Sequence, residues 1–268
     1  MNSAGNKKGI LLAAFGTSMP GADKVYTGIE NRVKALFPEL ELYWAYTSKV
    51  IREKMASQGK TVLSPVQALG VMAEHGFSRV ALQSLLIIPG LEHHDLIRTR
   101  ASLEGLPKGI EKISLGAPLL SDSNDLERFT RVMLDNIPQD RSPDEAVILM
   151  GHGSVHPANV FYAGLQYYFW LHDANVFVGA VEGVPGLDDV LVQLERKKIR
   201  KARLLPLMVV AGDHAVKDMA GKQADSWVSV LKDNGVDARV MMQGLGSFDN
   251  VVDIWLDHLR EAVESLQS

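Results

Sequence analysis

The chain has 268 residues, 46% of them hydrophobic and 22% charged, with a formal net charge of −4. Those proportions allow a well-filled core, and the scattered charges of both signs leave no basic stripe for a nucleic-acid backbone. There is no cysteine, so thiolate ligands, disulfides and a cysteine nucleophile are excluded, and a transition metal would have to be held by histidines and carboxylates.

Met1–Lys8 is a short polar tail without the apolar stretch of a signal peptide. Gly9–Phe15 (GILLAAF) is a continuous apolar run that ends in Gly16-Thr17-Ser18, as expected for a buried parallel strand meeting a glycine turn. A helix is predicted over Ala22–Phe37 from the spacing of Val25, Ile29, Val33 and Leu36, and a strand over Glu41–Tyr46. Ser64-Pro65 reads as a cap with proline at the first helical position, opening a helix that closes at His75-Gly76. A strand is predicted over Arg79–Gly90, another over Glu111–Ala117, and a helix over Asp125–Asn136.

After Pro138–Pro143 (PQDRSP), read as a linker, the same order recurs. Ala146–Met150 is an apolar run ending in Gly151-His152-Gly153-Ser154, followed by a helical stretch over Pro157–His172. Strands follow at Asn175–Val181, Lys201–Gly212 and Asp237–Gln243, with helices from Leu187 to Ile199 and from Asn250 to Leu266. The halves therefore form a repeat, with the extra length of the first placed in Thr47–Leu63. The expected architecture is α/β: two similar halves, 1–140 and 141–268, each a parallel sheet with flanking helices, and a final helix able to pack back on the N-terminal half. No apolar run is long enough to span a bilayer.

Ligands of open parallel sheets bind at the carboxyl ends of the strands. In the second half those ends supply His152, Glu182 and His214, a nitrogen and oxygen set suited to Co²⁺, Fe²⁺, Ni²⁺ or Zn²⁺ with positions left open. Aligning the halves puts Phe15, Ser48 and Glu92 at the equivalent edge of the first. Gly151, Gly153 and Gly183 would let backbone approach a flat ligand closely. His75, His156, His172 and His258 read as helix-end or helix-surface residues. Of the tandem His93-His94, one must point away from the site, as solvated surface or as a ligand of a second metal or of haem at a subunit contact. Tyr162, Tyr167, Tyr168, Phe169 and Trp170 make an aromatic helix, expected to be partly core and partly an oligomer interface. The dinucleotide turn, the P-loop and the hydrolase nucleophile elbow are all missing, so nucleotides are not implied, and no arginine precedes His152 as a phosphohistidine reaction would require.

The segments LLAAFGTS, LIIPGLEHHD, GHGS, VEGVPG and above all LMVVAGDHAVKDMAG resemble the anaerobic cobalt chelatases of the CbiK type, class II chelatases related in fold to ferrochelatase. The resemblance covers nearly the whole chain. It implies insertion of Co²⁺ into sirohydrochlorin or its reduced precursor, precorrin-2, without ATP in anaerobic cobalamin biosynthesis, with an active site in the cleft between the halves. Fe²⁺ insertion for sirohaem and a non-catalytic metal or haem carrier are the alternatives. It further implies metal binding by His152, Glu182 and His214, catalysis by His152, His214 and Glu92, and Glu92 facing the ligands across the cleft. The macrocycle would carry eight carboxylates, for which Thr17, Ser18 and Ser154 are candidate donors, with Phe15 beside them at the strand end. Expected partners are a tetrapyrrole, a divalent metal and further copies of the chain. The compartment, cytoplasmic or periplasmic, is open, since a signal peptide could already have been removed.

Overall fold

The first apolar run forms β1 (Lys7–Ala14), flanked by β2 (Glu41–Tyr46) and β3 (Phe77–Leu85), with β4 (Lys112–Gly116) outermost. All pairs are parallel and the order is β2-β1-β3-β4. The second half repeats it with β5 (Glu145–Gly153), β6 (Val176–Glu182), β7 (Lys201–Leu207) and β8 (Asp237–Val240), in the order β6-β5-β7-β8. This computed structural model describes residues 7–138 and 140–267; Met1–Asn6 of the polar tail and Gln139 of the linker lie outside the described residues. Ile10–Ala14 and Ala146–Met150 are fully buried, as expected for strands covered on both faces.

The helices expected from periodicity form as α1 (Asp23–Leu36), α3 (Pro65–Glu74), α5 (Ser123–Asp135), α6 (Val160–His172), α7 (Leu187–Arg196) and α9 (Asp249–Glu264). Ser64 and Gln67 close a reciprocal capping box at the start of α3: the serine Oγ accepts from Gln67 N, and the glutamine Oε1 accepts from Ser64 N. Three helices escape the periodic signal. The extra length of the first half carries α2 (Lys49–Ser57), which has no buried residue, and α4 (Leu91–Leu103) buries only His93 and Leu96. The third, α8 (Trp227–Asp233), is short.

The third strands stop sooner than their apolar runs. Leu86, Ile88, Val209 and Val210 stay buried, but beyond Leu85 and Leu207 the chain leaves the ladder and pairs with loops instead. Leu119 N and Leu120 N donate to Leu86 O and Ile87 O; Leu245 N and Gly246 N donate to Met208 O and Val209 O. The two halves match bond for bond here. Gly90 N bonds to Ile88 O as Gly212 N does to Val210 O, and His94 N to Gly90 O as Val216 N does to Gly212 O. That shared pattern makes Glu92 the structural equivalent of His214.

The chain divides into two compact units, 7–121 with 253–267, and 122–252 within the described residues. The division falls before α5, ahead of the boundary at 140 suggested by the PQDRSP stretch, because α5 packs on α6, with Phe129 edge-on to Phe169 at 6.4 Å. From Asp253 onward α9 belongs to the first unit. Trp255 is fully buried there and donates from Nε1 to Leu86 O (3.2 Å), and Arg79 donates to Leu266 O (2.6 Å). His258, read as a surface residue, is buried on this helix, because α9 turns an apolar stripe of Val251, Ile254, Trp255 and Leu259 inward beside it.

Candidate metal-handling site

His152 is the penultimate residue of β5, and His214 follows a loop after β7, the neighbouring strand. Their rings meet edge to face with centroids 4.4 Å apart. Each imidazole has its Nδ1 committed to an oxygen: His152 Nδ1 to Gly153 O (3.1 Å) and His214 Nδ1 to Asp218 Oδ2 (2.5 Å). A carbonyl oxygen can only accept and a carboxylate accepts, so the proton of each ring belongs on Nδ1 and the lone pair on Nε2. Both histidines are half-buried, which suits side chains that must meet a solute.

The loop carrying His214 is held from below. Gly244 packs so tightly on Val210 that an added Cβ would lie 2.5 Å from its Cα, and Ala215 and Met219 are fully buried in the second core. Between them runs a single wide π turn, Ala215–Met219, with Ala220 N bonded to Ala215 O (3.1 Å). Such turns interrupt regular helix at functional positions. Gly221 is required because a Cβ would collide with Lys217 O.

Glu182 ends β6, paired in register with Gly153, so its backbone adjoins the His152 turn. Its residue is exposed. Among the described residues no three His, Asp or Glu side chains stand close enough together to hold a metal, so the two imidazoles are brought together here and the Glu182 carboxylate is not. The glycines of this edge are accounted for inside the unit. A Cβ on Gly151 would strike the Tyr162 ring, one on Gly153 (φ +85°) the Glu182 carbonyl, and one on Gly183 (φ +115°) the Asn159 side chain at 2.8 Å. Local packing by itself already requires their small size. Asn159 ties the edge together, accepting from Ser154 N (3.0 Å) and donating to Val184 O (2.6 Å).

Other expected residues sort by burial. Thr17 is buried with its Oγ1 accepting from Met19 N (3.1 Å), and Ser154 Oγ accepts from His156 N (3.1 Å), so both hydroxyls shape turns; Ser18 is half-exposed. Phe15 is 38% exposed at the end of β1. Ser48 caps α2, and Glu92 is half-buried in the first turn of α4. His93 points inward, 7% exposed, with Nδ1 3.1 Å from Ser84 Oγ; burial and then the neighbouring His94 push its pKa down to about 4. His94 is half-exposed, its Nδ1 3.1 Å from Gly90 O. His156 starts its turn by accepting from Ala158 N, and His75 caps α3 beside the Tyr43 hydroxyl. The aromatic helix splits: Tyr162 and Phe169 are core, whereas Tyr167, Trp170 and Leu171 are exposed.

A family model described as cobalt chelatase (CbiK) matches residues 8–264. The chain belongs to that family. It is 39% identical over 262 residues to the sirohydrochlorin cobaltochelatase CbiKC of Nitratidesulfovibrio vulgaris, covering 97% of this chain and 92% of the relative. It is 34% identical over 259 residues to the sirohydrochlorin cobaltochelatase of Salmonella typhimurium, covering 96% and 97%. Among solved structures, SirB from Bacillus subtilis with Fe³⁺ superimposes with a TM-score of 0.62, covering 97% of each chain at 16% identity, a likeness of fold. The motif resemblance therefore holds over nearly the full length, as does the two-sheet chelatase architecture. Sequence reasoning missed Asp218 and Asn159. The His-x-x-x-Asp spacing of His214 and Asp218 lay within the LMVVAGDHAVKDMAG segment and is the signal that could have found the first.

Proposed function

We propose that this chain inserts Co²⁺ into sirohydrochlorin, or into precorrin-2, without a nucleotide. The observation that carries the reading is the pair of neighbouring imidazoles, each with its Nδ1 set against an oxygen, in a chain of the cobalt chelatase family. The metal is a substrate. His152 and His214 receive it, and Glu182 joins them by a rotamer change at an exposed position, adding negative charge that offsets the ion.

Insertion exchanges Co²⁺ for two pyrrole N–H protons, so two protons must leave as the metal passes to the macrocycle. Each imidazole, once it releases the metal, can take one on Nε2, and Glu92 is a proposed participant in proton transfer. Ser18 and backbone N–H groups at the strand ends suit the carboxylate periphery of the substrate, and Phe15 its flat face. Holding both partners removes the need for a high-energy cofactor, because the cost being met is orientation and stripping of water from the ion.

Mixing the metal-free protein with Co²⁺ and sirohydrochlorin and following absorbance tests this directly. A rate no faster than the protein-free reaction would exclude catalysis and favour a metal carrier. His152→Ala and His214→Ala should each lower turnover by orders of magnitude; a near-normal rate in either removes that residue. The ligand types also accept Fe²⁺, so Co²⁺ preference is measured by giving both metals in competition. For haem or a second metal, His94 is the candidate and His93 is not, because His93 is buried against Ser84; haem titration of His94→Ala, read by its visible spectrum, decides. Homo-oligomerisation is assigned to the exposed Tyr167, Trp170 and Leu171 of α6 and is checked by light scattering of the Trp170→Glu variant.

A further inference from the structure

Asp218 lies one turn beyond His214, and an i, i+4 spacing puts two side chains on one face of a helical turn. Its carboxylate meets Nδ1 of His214 at 2.5 Å. Among the described residues its other surroundings make no competing use of it. The neighbouring ammonium of Lys217 is directed to Asp213 at 3.8 Å, and the Asp218 side chain is 39% exposed, so it supports no core. Its backbone, by contrast, is flanked by buried residues. Ala215 and Met219, on either side, are anchored in the second core, and the π turn sets the ring and the carboxylate face to face without a long flexible arm.

We propose that Asp218 is a positioning residue for metal capture: by accepting the Nδ1 proton it fixes the His214 tautomer that presents a lone pair on Nε2, and its charge makes that nitrogen a stronger donor. This rests on the reading of His214 as a metal ligand. His152 obtains the same tautomer from a backbone carbonyl, Gly153 O, which no substitution can remove. The two ligands therefore differ. His152 is oriented by the fold, and His214 by a side chain, so only the second is open to tuning by mutation. Carboxylate partners of ligating histidines typically contribute about 10–100-fold in metal affinity.

The test uses the full chain, Co²⁺ alone as probe, and two readouts. In ¹⁵N-histidine-labelled protein without metal, the His214 signals should report a proton on Nδ1, and in Asp218→Ala they should move toward the Nε2-protonated form. Co²⁺ titration followed by its visible absorption should show affinity falling about 10–100-fold in Asp218→Ala, with Asp218→Asn in between because its amide oxygen is a neutral and weaker acceptor. The melting temperature should not move, since the side chain is not part of the core. Asp218→Ala affinity within twofold of the parent, or a His214 proton already on Nε2 in the parent, overturns the proposal. His214→Ala separates the two levels: loss of Co²⁺ binding there with Asp218→Ala unaffected refutes the positioning role alone, whereas His214→Ala binding normally refutes the ligand reading beneath it.

Discussion

Gly153→Ala probes how the strand ends hold the metal-handling edge. Gly153 has φ +85°, and a Cβ at that position would run into the carbonyl oxygen of Glu182 on the paired strand. The left-handed backbone alone costs an alanine about 1–2 kcal/mol. The overlap is with backbone, so no rotamer change relieves it. Relief requires β5 and β6 to part at the Gly153–Glu182 pair, and a lost ladder bond there costs about 1 kcal/mol more. The expected destabilisation is about 2–3 kcal/mol, or a fall of about 5–10 °C in melting temperature. Gly59→Ala is the control, since Gly59 has φ +76° and nothing within 4 Å of an added Cβ, leaving only the strain of about 1–2 kcal/mol. Denaturant unfolding gives both values, and Co²⁺ titration of the Gly153 variant should show weakened binding because His152 and Glu182 both move. A Gly153→Ala protein no less stable than the Gly59→Ala control, with Co²⁺ affinity intact, would refute the reasoning.

Truncating Trp255 to alanine should destabilise the first unit by about 3–5 kcal/mol, because a fully buried ring and its bond to Leu86 O are both lost; chemical denaturation measures it. His93 contributes a pH dependence whose sign follows from its depressed pKa of about 4. Between that value and the ordinary 6.5 the unfolded chain binds a proton that the folded one does not, so this contribution is complete above about pH 6.5 and is lost as pH falls toward 4. His93→Asn should flatten the melting-temperature profile over that window, and an unchanged slope would contradict the buried neutral imidazole. Asn159→Ala should raise KM for the macrocycle more than it lowers kcat, because it releases the Ser154 and Val184 loops from each other without touching either histidine; steady-state kinetics separate the two.

The repeat was legible because buried parallel strands write continuous apolar runs, and the strand β2 is found at the very residues its pattern indicates, Glu41–Tyr46. Where burial and pairing diverge, the pattern misleads: Leu86–Ile88 and Met208–Val210 look like strand but bond to loops. Helix α4 escaped notice because its inward face carries a histidine, His93, where a hydrophobic residue would have made the period visible.

His152 and His214 could be singled out as sheet-edge histidines because the βα step delivers successive strand ends to one side, a consequence of chain order alone. Family membership was likewise written in short motifs. What the sequence could not express is which groups those side chains meet. The 4.4 Å approach of the two rings, the commitment of His214 Nδ1 to Asp218, and the demand that Gly151, Gly153 and Gly183 stay small all depend on atoms distant in sequence or on the local path of a π turn. Spacing can nominate ligands, but tautomer and orientation are set by contacts, and contacts exist only once the chain is folded.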